Sequence, residues 1–246
     1  MGLFRRKPRP AAAPPSTPDA AESRDDVFAG GLEAVRLLLI PRVRRADQLP
    51  DRQDCVVREL GGGFLAVLGA RTPSGLYFLR TGQTHQWGAD PAELWSVGLH
   101  NLRREPREVT VFQPDAGPVY QVKGGAWTAT QLLRAEELVE VATPHGCVVA
   151  MPGENLLVLH PLIDVNSYLR IMELQKMLPR LCGPQGGFSD GLFHWHRGVL
   201  APLRVVEQHD PDGTLVHSIQ GGAELAAILR ALGNVPGPPS DRRDSA

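Results

Sequence analysis

The stretch "GGFSDGLFHWHRG", residues 186–198, decides which class of fold this chain adopts. Its G-x-S-x-G string around Ser189 matches the nucleophile elbow of hydrolases, which needs an apolar strand before the serine and a helix after it. Here the loop-like residues "GPQG" come before the serine, and "LFHWH" after it alternates as a strand does. Short motifs often match by chance. The sequence therefore predicts a glycine-rich turn that leads into a β-hairpin.

His194 and His196 raise a second question, because a single residue separates them in the predicted strand. Alternate residues of a strand point to the same face, so both imidazoles could bind one metal ion. A catalytic zinc site has three protein ligands and a water molecule. The neighbouring strands offer four candidates for the third ligand: His209, His217, Glu207 and Asp210. The simpler interpretation is a pair of histidines on the exposed face of a hairpin, with no metal.

Turn residues between apolar runs predict antiparallel hairpins along most of the chain. The hairpins are expected at residues 64–80, 109–123 and 147–162, with a three-stranded meander at 191–219. About five helices are expected between them, at residues 30–40, 90–105, 128–141, 166–181 and 223–232. Because strands paired in hairpins outnumber helices and single strands do not alternate with helices, we predict an α+β fold: a single domain of mainly antiparallel hairpins.

The helix at residues 90–105 has the clearest start signal. Asp90 is expected to cap it, with Pro91 as the first helical residue. Trp95 and Leu99 fall on its apolar face, together with neighbours at helical spacing. We therefore expect both side chains in the core and not in a ligand cage.

The two ends of the chain differ in composition from the middle. Residues 1–27 are rich in proline, alanine and charge, and residues 233–246 resemble them, so both are predicted to be disordered tails around one domain at 28–232. The first residues are basic but lack the apolar segment of a signal peptide. No apolar run approaches the ~20 residues of a membrane helix. These features predict a cytoplasmic protein with no membrane span.

Charge and cysteine usage exclude several classes of protein. The formal net charge of the 246 residues is -1, which argues against nucleic-acid binding. The three cysteines form no C-x-x-C pair, so no structural zinc or redox motif is expected. Cys147 begins an apolar strand and is expected in the core. No phosphate-binding glycine loop occurs, and no cofactor is expected.

The helix at residues 166–181 is apolar over more than one face. Its large apolar side chains are Tyr168, Leu169, Ile171, Met172, Leu174, Met177 and Leu178. A helix of this kind is either central to the core or covered by a second chain. The sequence thus leaves open a homodimer through this helix, with the core position favoured.

Several segments, taken in order, resemble the YtpQ-like family of bacterial proteins. They are "LLLIPRVRR", "WGADPAELWSVGLHNLRREP", "VYQVKGGAWTATQLL", "VVAMPGENLLVLHPL" and "FSDGLFHWHRGVLAPL", which together fall within about residues 32–204. The family's last segment is a strand–glycine–strand unit, and the resemblance implies that Gly198 is that glycine and that residues 192–204 form a hairpin. The family's function is uncharacterised, so the resemblance implies no catalytic residues.

These observations favour a non-enzymatic accessory or interaction module with an unknown protein partner. The alternative is a metal-dependent hydrolase that uses His194 and His196.

Overall fold

Eleven strands and seven α-helices make up the part of the chain that the computed structural model describes, namely residues 24–49, 51–113, 117–182 and 187–233. The strands are β1 (Leu39–Arg45), β2 (Val57–Gly61), β3 (Phe64–Thr72), β4 (Gly75–Phe78), β5 (Arg107–Phe112), β6 (Val119–Gly124), β7 (Cys147–Gly153), β8 (Leu156–Pro161), β9 (Leu192–His196), β10 (Val199–His209) and β11 (Leu215–Gln220). The helices are α1 (Arg24–Ala29), α2 (Gly31–Val35), α3 (Thr81–Trp87), α4 (Pro91–Leu102), α5 (Ala135–Leu138), α6 (Ser167–Cys182) and α7 (Ala223–Gly233).

The large sheet has seven strands in the order β11-β10-β9-β7-β8-β6-β5, and every neighbouring pair is antiparallel. The predicted hairpins β5–β6 and β7–β8 and the predicted meander β9–β10–β11 all lie in it. The prediction of an α+β fold with antiparallel pairing is therefore confirmed, although the chain holds more strands than those hairpins require.

The small sheet contains β1, β3 and β2 in that order. Strand β4 pairs with β3 on the same edge as β2, further along β3. The predicted hairpin at residues 64–80 supplies β3 and β4. The predicted helix at residues 30–40 is wrong in its second half, because α2 ends at Val35 and the apolar run from Leu39 continues as β1 through Pro41. Pro41 is tolerated there because β1 pairs with β3 alone, and an edge strand does not need every N–H.

The core lies on both faces of the large sheet. One cluster of buried side chains joins this sheet to the small sheet and α4, with Leu68, Trp95, Val149 and Trp195 among its members. A second cluster packs α6 and α7 against the opposite face. Both faces of the central strands are thus covered, which explains the continuous burial of β7 from Cys147 onward.

The two sheets contact each other at the turn between β2 and β3. Gly61, Gly62 and Gly63 all have positive φ angles, which glycine adopts without strain. A Cβ atom on Gly61 would lie 2.5 Å from the Leu200 carbonyl oxygen, and one on Gly62 would lie 3.0 Å from the Phe193 ring. The turn therefore touches β9 and β10 directly, and only glycine fits at these two positions.

The helices differ from the sequence prediction in number and in length. The chain has α1 and α3 in addition to the five predicted segments, and the predicted helix at 128–141 is a 3-10 segment at Ala129–Arg134 followed by the four-residue α5. Helix α1 overlaps the last residues of the predicted N-terminal tail, and its residues Val27 and Phe28 are buried. The rest of both predicted tails, residues 1–23 and 234–246, lies outside the described residues.

Helix α4 begins as predicted. The Ala92 N–H donates to the Asp90 carboxylate at 2.9 Å, with Pro91 in the first turn, and Trp95 is buried. No helix in the described ranges has the length and apolar character needed to cross a membrane.

Candidate functional site

The segment around Ser189 is a turn. Its backbone N–H donates to the Met151 carbonyl at 2.9 Å, and its Oγ accepts a bond from the Gly191 N–H at 3.3 Å. Strand β9 follows at once and pairs with β10 through a two-residue turn in which Arg197 and Gly198 have φ angles of 51° and 82°. The predicted hairpin is confirmed. Ser189 therefore lacks the helix that a nucleophile elbow requires.

Ser189 is one of the residues that line a cleft of about 490 Å³ between the β2–β3 turn and strands β9 and β10. Gly62, Gly63, Asp190 and Arg204 are among the residues that line it. The described lining residues include no histidine that could accept the serine proton. The described residues of this cleft thus do not form the serine–histidine pair of an acyl-transfer site.

His194 and His196 lie on the same side of β9, as the spacing predicts. Their rings stack with centroids 5.7 Å apart. They share this side with Leu192, which packs under α6 and α7. The sequence placed both histidines on an exposed face, and this is wrong for His194, which is 2% exposed. The error has a physical cause: the covering helix lies far along the chain, beyond the reach of local pattern.

Each of the two histidines has a hydrogen-bond partner within the protein. The His194 Nε2–H donates to the His145 carbonyl at 2.8 Å, and the His196 Nδ1 lies 2.9 Å from the Glu224 carboxylate. Burial, with a smaller effect from the nearby His196, lowers the pKa of His194. The hydrogen bond to His196 lowers the pKa of Glu224. Together these groups fasten the first turn of α7 to the sheet.

The four residues predicted as third metal ligands do not complete a site. Ala201 pairs with His194, and Glu207 lies six residues further along β10, which corresponds to ~20 Å at the rise of a strand. There Glu207 accepts a bond from His217 at 3.0 Å; His209 and Asp210 lie further on. Within the described ranges, no group of three or more His, Cys, Asp or Glu side chains is placed to hold a metal ion.

The buried thiol of Cys147 offers no nucleophile. Burial, with a smaller effect from Glu136, raises its pKa to about 12. A thiol with that pKa stays protonated at neutral pH. Cys147 is 1% exposed, so the prediction that it is a core residue is confirmed.

A second, apolar groove lies between α6 and the end of the large sheet. It has a volume of about 240 Å³. Its lining residues are Phe112, Val119, Gln121, Val158, Arg170, Leu174, Met177 and Leu181. Sequence analysis missed this groove, although one signal was present. Arg170 falls in the buried stripe that Ser167, Ile171, Leu174 and Leu178 form on α6. A charged residue within an apolar stripe marks a position where a polar partner is needed.

Helix α6 itself fits neither of its two predicted environments completely. Ile171, Leu174 and Leu178 are buried in the core, while Leu169 and Met177 are 56% and 48% exposed. The helix is thus a core element that still presents apolar side chains outward.

No protein-family model matches this chain, no curated protein matches it, and no solved structure matches it. The resemblance of its segments to the YtpQ-like family therefore stays a prediction from the sequence.

Proposed function

We propose that this protein is a cytoplasmic, non-enzymatic interaction module of the YtpQ-like kind. One observation carries the proposal: large apolar side chains are exposed along the outward side of α6 and the loop before it. Ile163 and Val165 are 37% and 53% exposed, and Leu169 and Met177 are 56% and 48% exposed. The name "α6 surface" denotes these four residues below.

Residues four and eight positions apart lie on the same side of a helix, so Leu169 and Met177 share one side of α6. Clustered apolar residues on a surface are typical of sites that bind another protein. Met177 adds a flexible thioether, which adapts to varied contact surfaces. The buried stripe of the same helix anchors this surface on a rigid element.

We propose a second copy of the chain as the first partner, bound through the α6 surface of each copy. Such a contact is isologous, because each copy offers the same residues to the other. Glu173 lies between Leu169 and Met177 on the same side, and Lys176 and Arg180 follow on the helix. An antiparallel pairing of two α6 helices brings Glu173 of one copy toward the basic residues of the other.

Light scattering at micromolar concentration tests the second copy. We expect the mass of the wild-type protein to exceed 26.7 kDa and to approach twice that value as concentration rises. The Leu169→Glu variant should remain a monomer, because a charge at the contact is desolvated on association. Leu215→Glu, a change at a 46% exposed residue of β11, is the matched control and should associate like wild type.

A photo-crosslinking amino acid at position 169 extends the test to other partners. In the native cells we expect a crosslinked protein from position 169 and none from position 215. A wild-type monomer together with no crosslink from position 169 would refute the proposal.

A further inference from the structure

Strand β10 changes its partner half-way along its length. Its first five residues, which end at Leu203, pair with β9, and its last six pair with β11. Successive residues of a strand direct their backbone N–H and C=O groups to alternate edges. Val199 pairs with His196 across the two-residue turn, so the odd-numbered residues of β10 face β9. Beyond Leu203 this edge continues with Val205 and Glu207, which have no partner strand there among the described residues.

The turn at the other end of β10 gives the same assignment of edges. The Asp210 N–H donates to the Thr214 carbonyl at 3.0 Å, so the even-numbered residues of β10 face β11. Pro202, which has no N–H to donate, belongs to this even-numbered set and lies before Arg204, where pairing with β11 begins. Strands β9 and β11 therefore lie on opposite edges of β10, and the edge at Val205 and Glu207 is open.

The open edge borders the cleft of about 490 Å³ described above. Residues 204–206 and residues 189–191 both line this cleft. The segment before Leu192 stays beside β7, because the Ser189 N–H donates to the Met151 carbonyl at 2.9 Å. It does not pair with β10, since pairing between β9 and β10 begins at Leu192. The cleft is thus a place where the large sheet opens between two of its strands.

The side chains beside the open edge combine apolar surface with a positive charge. Val205 and Val206 are half-buried and line the cleft on the two faces of β10. Arg204 is exposed and forms no ion pair with any described residue. The other cation of the cleft, Arg45, is already paired with Asp47 at 3.0 Å. The edge therefore offers unpaired backbone groups, two valines and one arginine without an acidic partner.

We propose that the open edge of β10 binds an extended segment of a partner protein as an added antiparallel strand. Such a segment places apolar residues opposite Val205 and Val206 and an acidic residue opposite Arg204. Opposite side chains of an antiparallel pair have Cβ atoms about 4.5–5.5 Å apart, within reach of an ion pair. In this mode of recognition the main-chain hydrogen bonds supply affinity and the side chains supply specificity.

A second copy of β10 does not supply the acidic residue without a cost. Edge-facing residues must pair with edge-facing residues, which allows only a few registers between two copies. In two of them Arg204 lies opposite Val206 or Gln208 of the other copy. A third register brings Asp210 opposite Arg204 but also sets the Glu207 residues of the two copies directly opposite each other, which is unfavourable. The charge pattern thus favours a different chain.

A capped, fluorescently labelled peptide, Thr-Lys-Val-Val-Glu, is the probe. In antiparallel register its lysine lies opposite Glu207, its valines opposite Val206 and Val205, and its glutamate opposite Arg204. We expect one peptide to bind per full-length, tag-free chain, with a dissociation constant below about 1 mM by fluorescence anisotropy. A peptide that ends in lysine in place of glutamate should bind about tenfold more weakly or worse. No saturable binding of the first peptide, or equal affinity for the two, would refute the proposal.

Backbone methylation separates strand addition from contact through side chains alone. The second valine of the probe directs its N–H to the Val205 carbonyl, whereas the first valine directs its N–H away from β10. Methylation of the second valine nitrogen should weaken binding by about tenfold or more, and methylation of the first should change it by less than about twofold. Equal effects of the two methyl groups would refute an added strand.

Variants of the protein locate the site. Val205→Pro removes an N–H that faces only the open edge and should weaken binding by about tenfold or more. Leu215→Pro, at the first residue of β11, removes an N–H from the outer edge of the sheet and should bind like wild type. Arg204→Glu should reverse the preference between the glutamate and lysine peptides. Leu169→Glu should bind normally, so this site and the α6 surface are tested separately.

Unchanged binding by Val205→Pro would place the peptide elsewhere and overturn the site. The methylated peptides are measured on the wild-type protein, so they decide the question even where Val205→Pro fails to fold.

Discussion

Replacing Trp95 with alanine should be the most damaging single truncation in α4. Trp95 is 3% exposed and packs in the cluster that joins the two sheets. A buried aromatic side chain removes about 150–250 Å² from water, which at ~25 cal/mol per Å² corresponds to roughly 4–6 kcal/mol. Alanine retains part of this, and the Arg58 guanidinium, 4.4 Å above the ring, adds ~0.5–1 kcal/mol. We expect a loss of about 3–5 kcal/mol in the free energy of unfolding.

Urea denaturation followed by circular dichroism measures that loss, and thermal melting should show the midpoint lowered by roughly 6–20 °C. Val199→Ala is the matched control, because Val199 is 55% exposed and its truncation should cost less than about 0.5 kcal/mol. Arg58→Met separates the stacking contribution from the packing contribution. A Trp95→Ala variant that unfolds within about 0.5 kcal/mol of wild type would mean that the ring is not in the core, and a ligand-binding role would have to be reconsidered.

Three further predictions concern the residues around β9. Burial lowers the pKa of His160 and of His194 below the ordinary value of 6.5, so as the pH falls the unfolded chain binds protons at these histidines before the folded chain does. The free energy of unfolding should therefore be largest above about pH 6.5 and decrease below it. Urea midpoints measured at about pH 7.5 and pH 5 test this. Tag-free protein should contain no stoichiometric zinc or manganese by mass spectrometry; a full metal equivalent that is lost in the double variant His194→Ala/His196→Ala would establish the metal site. Ser189→Ala should leave folding within about 1 kcal/mol of wild type, since its hydroxyl accepts a single 3.3 Å bond, and labelling of Ser189 by a fluorophosphonate would contradict the turn assignment.

The sequence predicted those elements whose signals are local. Turn residues between apolar runs predict the β5–β6 and β7–β8 hairpins. Asp90 caps α4 through a hydrogen bond from Ala92, two residues away. The fold class followed from these elements. The β9–β10 hairpin also followed, because a two-residue turn with glycine at its second position joins two strands.

The features that the sequence did not predict depend on contacts between distant segments. Leu39 and Ile40, the first two residues of β1, were assigned to a helix because their apolar run has helical spacing, yet pairing with β3 decides their conformation. His194 is buried because α7, about 30 residues later, lies over β9. The apolar groove forms only where α6 lies beside β5, and these two elements are separated by more than 50 residues in the chain. Local pattern carries no information on such pairings, since tertiary packing sets them.

The contact of the glycine turn with β10 also sets the order of events during synthesis. The small sheet is complete once Phe78 has been made, but its partner Leu200 is added about 120 residues later. At elongation rates of ~5–20 residues per second, these residues take roughly 6–24 s to be made. Helix α4 ends only about 25 residues after Phe78 and brings Gly98 against Leu68, so it covers one part of the small sheet early, while the glycine turn stays without β9 and β10 for the whole interval. Docking of the glycine turn on the large sheet is therefore a late event in the synthesis of this chain.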